Sequence, residues 1–266
     1  MLAIFANAAR TGATYDAGTA RGYPRRRLIP ESNAMDSLSS GRVAQTLHHL
    51  FDQAEQADRS LMDSFSHAED SEAFIADIIS THLAEERRDI RGLYHRHVDH
   101  FLNVAPEYGR FLYQCARARK ATRIVEFGTS MGISTIFLAA ALRDMGGGLL
   151  IGTELEPTKA ARARANLEAA GLADLVEIRV GDARETLVDV GGEVDLVLLD
   201  GAFSLYLPIL KLLEPHLKTG TPVLAENAFD HDNEYLIYVR DPANGYLSQP
   251  LAINAGRGNE FSVVTR

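Results

Sequence analysis

Between Ala121 and Ala225, short apolar runs and helical stretches alternate with a regularity that few folds use. Residues 124–127, 149–155, 176–180, 194–200 and 222–225 have the length and β-branched content of strands. The run 194–200 is apolar on both faces, as a strand covered on both sides must be. Between them lie helical stretches: 133–143, one opening on Glu156–Pro157 and stopping at Gly171, and 205–217. Such alternation predicts an α/β chain with a Rossmann-like, doubly wound, mostly parallel sheet, ligands lying at the carboxyl ends of its strands. Residues 246–253 and 261–265 follow without a helix between them. They predict an antiparallel final hairpin that brings the sheet to seven strands.

Upstream the texture differs. From about Ser40 to Leu102 the chain reads as an N-terminal helical segment, with Leu47, Leu50, Phe51 and Ala54 on one face and Phe74, Ile78 and His82 on another. Seven of the nine histidines fall here. His97 and His100 share a helix face at a spacing that suits a metal, yet no HExxH accompanies them, and a solvated surface is the simpler reading. Residues 1–34 hold five arginines and only Asp16 and Glu31 as acids, without periodicity. They read as a disordered extension ahead of Met35 rather than a signal peptide.

A net charge of −9 disfavours nucleic acid or an anionic membrane as partner and leaves a small molecule as the natural ligand. No apolar run reaches the roughly 18 residues that a membrane span needs. Cys115 is the sole cysteine, so no intrachain disulfide can form, and a cytoplasmic location is expected.

Chemistry concentrates where the strands end. The first runs into Glu126-Phe127-Gly128-Thr129-Ser130-Met131-Gly132-Ile133-Ser134. Gly128 permits a tight turn and close approach to backbone, while Gly132 opens a helix whose free N–H groups favour an anion. A dinucleotide site wants G-x-G-x-x-G, but Ser130 and Ile133 stand at its second and third glycines. No Gly-Lys-Ser/Thr completes a phosphate loop either. Acid-x-Gly-x-x-x-Gly instead suits a ligand with a carboxylate and no pyrophosphate, which is S-adenosylmethionine. Glu154 ends the second strand, where a carboxylate can accept from both ribose hydroxyls. Asp182 ends the third, within reach of an adenine amino group, and Asp200 ends the fourth. Four acids at four consecutive strand ends point into one crevice.

Val125-Glu126-Phe127-Gly128, Gly152-Thr153-Glu154-Leu155-Glu156-Pro157, Leu199-Asp200-Gly201 and Leu224-Ala225-Glu226-Asn227 together resemble the class I methyltransferases of the catechol and caffeoyl-CoA O-methyltransferase type. The likeness covers residues 101–266, which would form the methyltransferase domain, with 35–100 as its helical segment. It implies that Glu126, Gly128, Gly132 and Ser134 surround the methionine moiety and that Ser134 donates to its carboxylate. Glu154 would hold the ribose, Asp182 and Ala183 would lie beside the adenine, and Leu102-Asn103-Val104 would lie at the mouth.

The resemblance further implies a divalent metal, usually magnesium, on Asp200, Glu226 and Asn227, chelating two acceptor oxygens so that an oxyanion attacks the sulfonium methyl. Two departures stand out. Glu226 is one methylene longer than the family's aspartate, and Phe203 replaces its lysine base. Asp200 with the metal, or His231 or Asp232 in the following loop, then becomes the candidate for handling the proton. The expected acceptor is a small aromatic, vicinal diol-like hydroxyl compound, and the expected assembly a homodimer.

Overall fold

In the computed structural model, residues 36–65, 72–229, 233–253 and 258–266 are described. Two long helices come first, α1 (Gly41–Phe65) and α2 (Glu72–His95). Helix α2 breaks at Asp89, which leaves helical geometry (φ −155°, ψ 77°), and the Asp89 carboxylate caps the next turn by accepting from the Gly92 amide at 2.9 Å. Helix α3 (Pro106–Arg119) starts on a proline, whose missing N–H costs nothing at a helix start, and ends at Lys120 in the left-handed conformation.

The α/β part runs β1 (Arg123–Phe127), α4 (Ile133–Asp144), β2 (Leu149–Glu154), α5 (Pro157–Ala170), β3 (Val176–Val180), a short α6 (Ala183–Thr186), β4 (Leu196–Leu199), α7 (Tyr206–Leu213) and β5 (Pro222–Ala225). It closes with α8 (Glu234–Arg240), β6 (Tyr246–Pro250) and β7 (Glu260–Val264). The seven strands lie in the order β3-β2-β1-β4-β5-β7-β6, the first five parallel and β7 antiparallel to both β5 and β6. Register places the site. Phe127 pairs with both Thr153 and Leu199, and Leu199 with Ala225. The next residue of each strand, Gly128, Glu154, Asp200 and Glu226, therefore lies along one edge of the sheet.

Apolar layers cover both faces. Leu47, Leu50 and Ala54 of α1 share one buried cluster with Leu112 of α3, Ile136 of α4 and Leu167 of α5, so the N-terminal helices pack into the core of the α/β part. Helix α4 is buried from Ile133 through Leu142. On the other face, Tyr206, Ile209 and Leu213 of α7 and Tyr235 and Val239 of α8 cover Val125, Val197 and Val223. Of the second predicted helix face, Ile78 and His82 do turn inward, whereas the Phe74 side chain lies outside the described residues.

Boundaries move for identifiable reasons. Helix α7 stops at Leu213 instead of continuing to 217, because Pro215 cannot donate within an α-helix and the chain tightens into a 3-10 turn over Glu214–His216. Val194 makes only an isolated bridge to Leu217, so β4 is shorter than its apolar run. Helix α8 was not expected from the apolar pattern, although its caps are legible: Asn233 accepts from the Leu236 amide at 3.2 Å, with Glu234 in the first turn and Arg240 in the last. The predicted extension 1–34 lies outside the described residues.

Candidate functional site

A cavity of about 680 Å³ opens at the carboxyl ends of β1, β2, β3 and β4, and Gly128, Glu154, Asp182, Ala183 and Asp200 all line it. A smaller one of about 220 Å³ adjoins, lined by Leu102, Asn103, Gly128, Ser134 and Asp200. The crevice inferred from strand-end acids thus exists. Its residues differ in what they do there.

Gly128 has a φ of 98°, and a Cβ on it would lie 2.3 Å from the Asp200 carbonyl oxygen. The glycine is therefore required by the neighbouring end of β4 as well as by the turn. Gly132, at φ 90°, starts α4 and sits against Ala163 rather than in either cavity. Glu126 is fully buried behind the turn, where Ser134 (2.7 Å), Thr135 (2.6 Å) and Thr129 (3.0 Å) all donate hydroxyls to it. Burial pushes its carboxyl up to about 7 despite those bonds. Val104 is also buried and lines neither cavity, whereas its neighbours Leu102 and Asn103 do.

Glu154 ends β2 with one carboxylate oxygen accepting from the Ser130 amide at 2.7 Å and the other from the Glu156 amide at 2.8 Å. Burial raises its pKa. Asp182 caps α6 by accepting from the Arg184 amide and is gripped by the Arg184 guanidinium at 2.6 Å, a pairing that holds its carboxyl below the usual range. The sequence reading left this arginine out.

It also missed Lys159. This lysine is only 4% exposed, lines the larger cavity beside Glu154, and donates to the Ser130 hydroxyl at 3.3 Å. Burial lowers its pKa, while Glu154, Asp58 and Glu156 favour its charged form. The Ser130 hydroxyl donates in turn to the Phe101 carbonyl at 2.6 Å, and Asp58 of α1 accepts from the Phe101 and Leu102 amides. The 101–104 segment is thereby tied down beside the cavity, with Leu102 at φ 50°. A lysine in the first turn of an amphipathic helix gives no hint in sequence that it will be buried.

Toward β5 the arrangement changes. Glu226 is buried, its carbonyl accepts from the Tyr206 hydroxyl at 2.6 Å, and its carboxylate accepts from the Asn227 side-chain amide. Asn227 has a φ of 60° and is 7% exposed, and its Oδ1 makes no hydrogen bond. Burial first, and then the charges of Asp200 and Glu226, hold the buried Tyr108 and Tyr206 phenols well above their ordinary range. Among the described residues no group of three His, Cys, Asp or Glu side chains converges as a metal site. His231 and Asp232 lie outside the described residues.

Phe203, in the family's lysine position, packs into a ring cluster: His82 at 5.5 Å, Tyr206 at 5.9 Å and Phe229 at 6.1 Å between centroids. Its backbone is fixed from α2. The buried Glu86 accepts from the Phe203 and Ser204 amides, from the Tyr94 hydroxyl at 2.7 Å and from His82 at 3.1 Å. Tyr94 and Ile90 of the same helix line the larger cavity.

Two other sequence features resolve simply. His97 and His100 lie 5.4 Å apart with their rings tilted by 55° and no third ligand among the described residues, and burial, then His100, lowers His97 to about 4. Cys115 is half-buried, its thiol pushed up to about 11 by burial, which makes it a poor nucleophile.

Comparison with known proteins decides among the ligand families that such a turn serves: residues 125–228 match the model of a methyltransferase domain. Over that stretch the chain is similar to class I methyltransferases of the catechol and caffeoyl-CoA O-methyltransferase type. It is 43% identical over 98 residues to a catechol O-methyltransferase of Mycobacterium tuberculosis, covering 36% of this chain and 44% of that protein. To the catechol O-methyltransferase of Niastella koreensis it is 35% identical over 130 residues, 47% of this chain and 58% of the other. The chain thus spans about half the length of these curated relatives. Among solved structures it is similar to the O-methyltransferase of tomaymycin synthesis from Streptomyces achromogenes in complex with SAM. That likeness has a TM-score of 0.53 and 28% identity over 70% of this chain and 90% of the other. No helix among the described residues is long and apolar enough to cross a membrane.

Proposed function

We propose that this methyltransferase domain, residues 101–266 with 35–100 as its helical cover, transfers the methyl group of S-adenosylmethionine to a hydroxyl of a small aromatic acceptor. One observation carries the reading: Gly128, Glu154, Asp182, Ala183 and Asp200 line a single cavity at the strand ends, where a doubly wound sheet binds its ligands. The bound cofactor supplies an electrophilic methyl on a sulfonium. An acceptor hydroxyl held against that methyl would take it as the sulfur–carbon bond broke to leave a thioether, its proton going to a carboxylate such as Asp200.

In this reading Glu154 accepts from the ribose hydroxyls while the Ser130 and Glu156 amides fix its orientation. Ala183 lies beside the adenine, and Asp182, gripped by Arg184, shapes that end of the cavity. Glu126 acts from behind by orienting Ser134 and the turn, so Ser134 must rotate off Glu126 to donate to a ligand carboxylate. Burial of the reacting end excludes water and strengthens each charge there.

The donor set near Asn227 suits magnesium in kind. Its Oδ1 is a buried oxygen without a hydrogen bond, its Nδ2 donates to the Glu226 carboxylate, and Asp200 stands at the end of the adjoining strand. Held by Asp200, Glu226 and Asn227, such an ion would lower the pKa of the acceptor hydroxyl. The test is methyl transfer to an aromatic diol as magnesium is varied, with a chelator control. Turnover should need Asp200, fail in Asp200→Ala, and be kept or raised in Glu226→Asp. Turnover that survives the chelator, with Glu226→Asp unchanged, refutes the metal. Absence of transfer to any hydroxyl acceptor refutes the reaction.

A further inference from the structure

A carboxylate taken out of water needs hydrogen-bond donors, and Asp58 of α1, only 8% exposed, finds them 43 and 44 residues away. It accepts from two consecutive amides, Phe101 at 2.9 Å on one oxygen and Leu102 at 3.2 Å on the other. Asp58 itself lines neither cavity at the strand ends. Its grip falls on backbone that does. Leu102 sits in the left-handed conformation, φ 50°, which a leucine adopts only where its surroundings hold it.

The α/β part holds the same short segment through Phe101. The Phe101 carbonyl accepts from the Ser130 hydroxyl at 2.6 Å, its ring is buried, and the Arg162 guanidinium of α5 lies 5.3 Å from the ring centroid. Phe101 is thus fixed from one part of the fold, while α1 fixes the backbone that aims Leu102. Leu102, Gly128, Ser130 and Asp200 line both cavities, so the cavities meet among these four. Gly128, Ser130 and Asp200 follow β1 and β4. Leu102 alone of the four comes from elsewhere, on the connection from α2 to α3.

In the methyl-transfer reading, on which this inference rests, the nucleoside fills the larger cavity and the methionine moiety the smaller. The sulfonium then lies where the two meet, beside Leu102. We propose that Asp58 is a positioning residue for methyl transfer. By holding the Phe101 and Leu102 amides it keeps the Leu102 side chain against the cofactor at that junction, and so slows the cofactor's release. Asp58 touches neither cofactor nor acceptor. Its charge also favours the ionised form of Lys159, the buried cation beside Glu154, which is a second route for its loss to act. The two routes differ in what they require of Asp58: the first needs acceptor oxygens, the second a negative charge.

Release of tritiated S-adenosylmethionine from the full chain, chased with unlabelled cofactor, reads the dissociation rate directly. Asp58→Ala should raise that rate about tenfold with association little changed, and Leu102→Ala should raise it to a similar degree. Because both act through one contact, the double variant should release no faster than the faster single one. Asp58→Asn keeps one acceptor oxygen and should recover part of the loss. Should Asp58→Ala fail to fold, the same cycle built on Asp58→Asn decides. Unaltered release from Leu102→Ala, or effects that simply add, overturns the inference and leaves methyl transfer standing. Asp58→Asn releasing as fast as Asp58→Ala also overturns it, by tracing the effect to the charge on Lys159. A natural protein that retains no S-adenosylmethionine refutes the methyl-transfer reading and this inference with it.

Discussion

Lys159 reaches the Ser130 hydroxyl at 3.3 Å while the Ser130 amide donates to Glu154 at 2.7 Å, so a buried cation and a buried carboxylate share one turn of backbone. Burial lowers the lysine and raises the glutamate, and each offsets part of the shift in the other. Lys159→Met should leave Glu154 more readily protonated and weaken S-adenosylmethionine binding by roughly tenfold, most strongly at low pH, with Lys159→Arg recovering part. Glu154→Ala should cost more, about 2–4 kcal/mol of cofactor affinity. Dissociation constants by calorimetry between pH 5.5 and 8.5 check both, and a pH-independent loss in Lys159→Met would contradict the coupling.

Glu126 sets a pH dependence of stability. Its carboxyl is pushed up to about 7 in the folded protein from an ordinary value of 4.5. Below pH 4.5 both states hold the proton. As pH rises toward 7 the unfolded chain ionises first, so the folded state loses about 3 kcal/mol across that window and little above it. Glu126→Gln removes the titrating group. Its melting temperature relative to the natural protein should therefore rise between pH 5 and pH 8. An unchanged difference at the two pH values would mean that Glu126 is ionised throughout.

By sequence alone, a lysine restored at position 203 should supply the missing base and raise the rate most at low pH. The structure argues otherwise. Phe203 fills a cluster of His82, Tyr206 and Phe229 rings, and an ammonium there loses those contacts and its solvation. Phe203→Lys should destabilise the protein by about 2–4 kcal/mol without raising turnover. Denaturant midpoints and initial rates give the answer, and a faster, equally stable variant would show that the side chain can turn to the reacting end.

Glu86 joins α2 to the turn after β4. Burial alone would raise its pKa, yet hydrogen bonds led by His82 and Ser204 hold it below the ordinary range. Glu86→Ala leaves the Phe203 and Ser204 amides, the Tyr94 hydroxyl and His82 without their acceptor. A loss of about 3–5 kcal/mol is expected. Because Tyr94 lines the larger cavity, cofactor affinity should fall as well. Thermal unfolding and calorimetry read the two effects separately; unaffected affinity would confine Glu86 to a structural role.

Strand-helix alternation, the failed dinucleotide fingerprint and the acids at successive strand ends were legible in the chain itself, because parallel strands in register bring equivalent positions to one edge. Strand ends alone bring Gly128, Glu154, Asp182 and Asp200 to one edge, and the family resemblance adds Ala183; all five line the cavity. Local cues also mark helix ends, as Gly171 and Asn233 do. Which way a side chain turns at a strand end is another matter. Glu126 faces three hydroxyls, Asp182 faces Arg184, and Glu226 faces the Asn227 side-chain amide and lines neither cavity at the strand ends. Those choices depend on partners 1 to 9 residues away in sequence, and on elements such as α2 whose packing no local pattern encodes. Lys159 is the clearest case: its position on a helix is written in the sequence, but its burial exists only because α1, the 101–104 segment and β2 close around it.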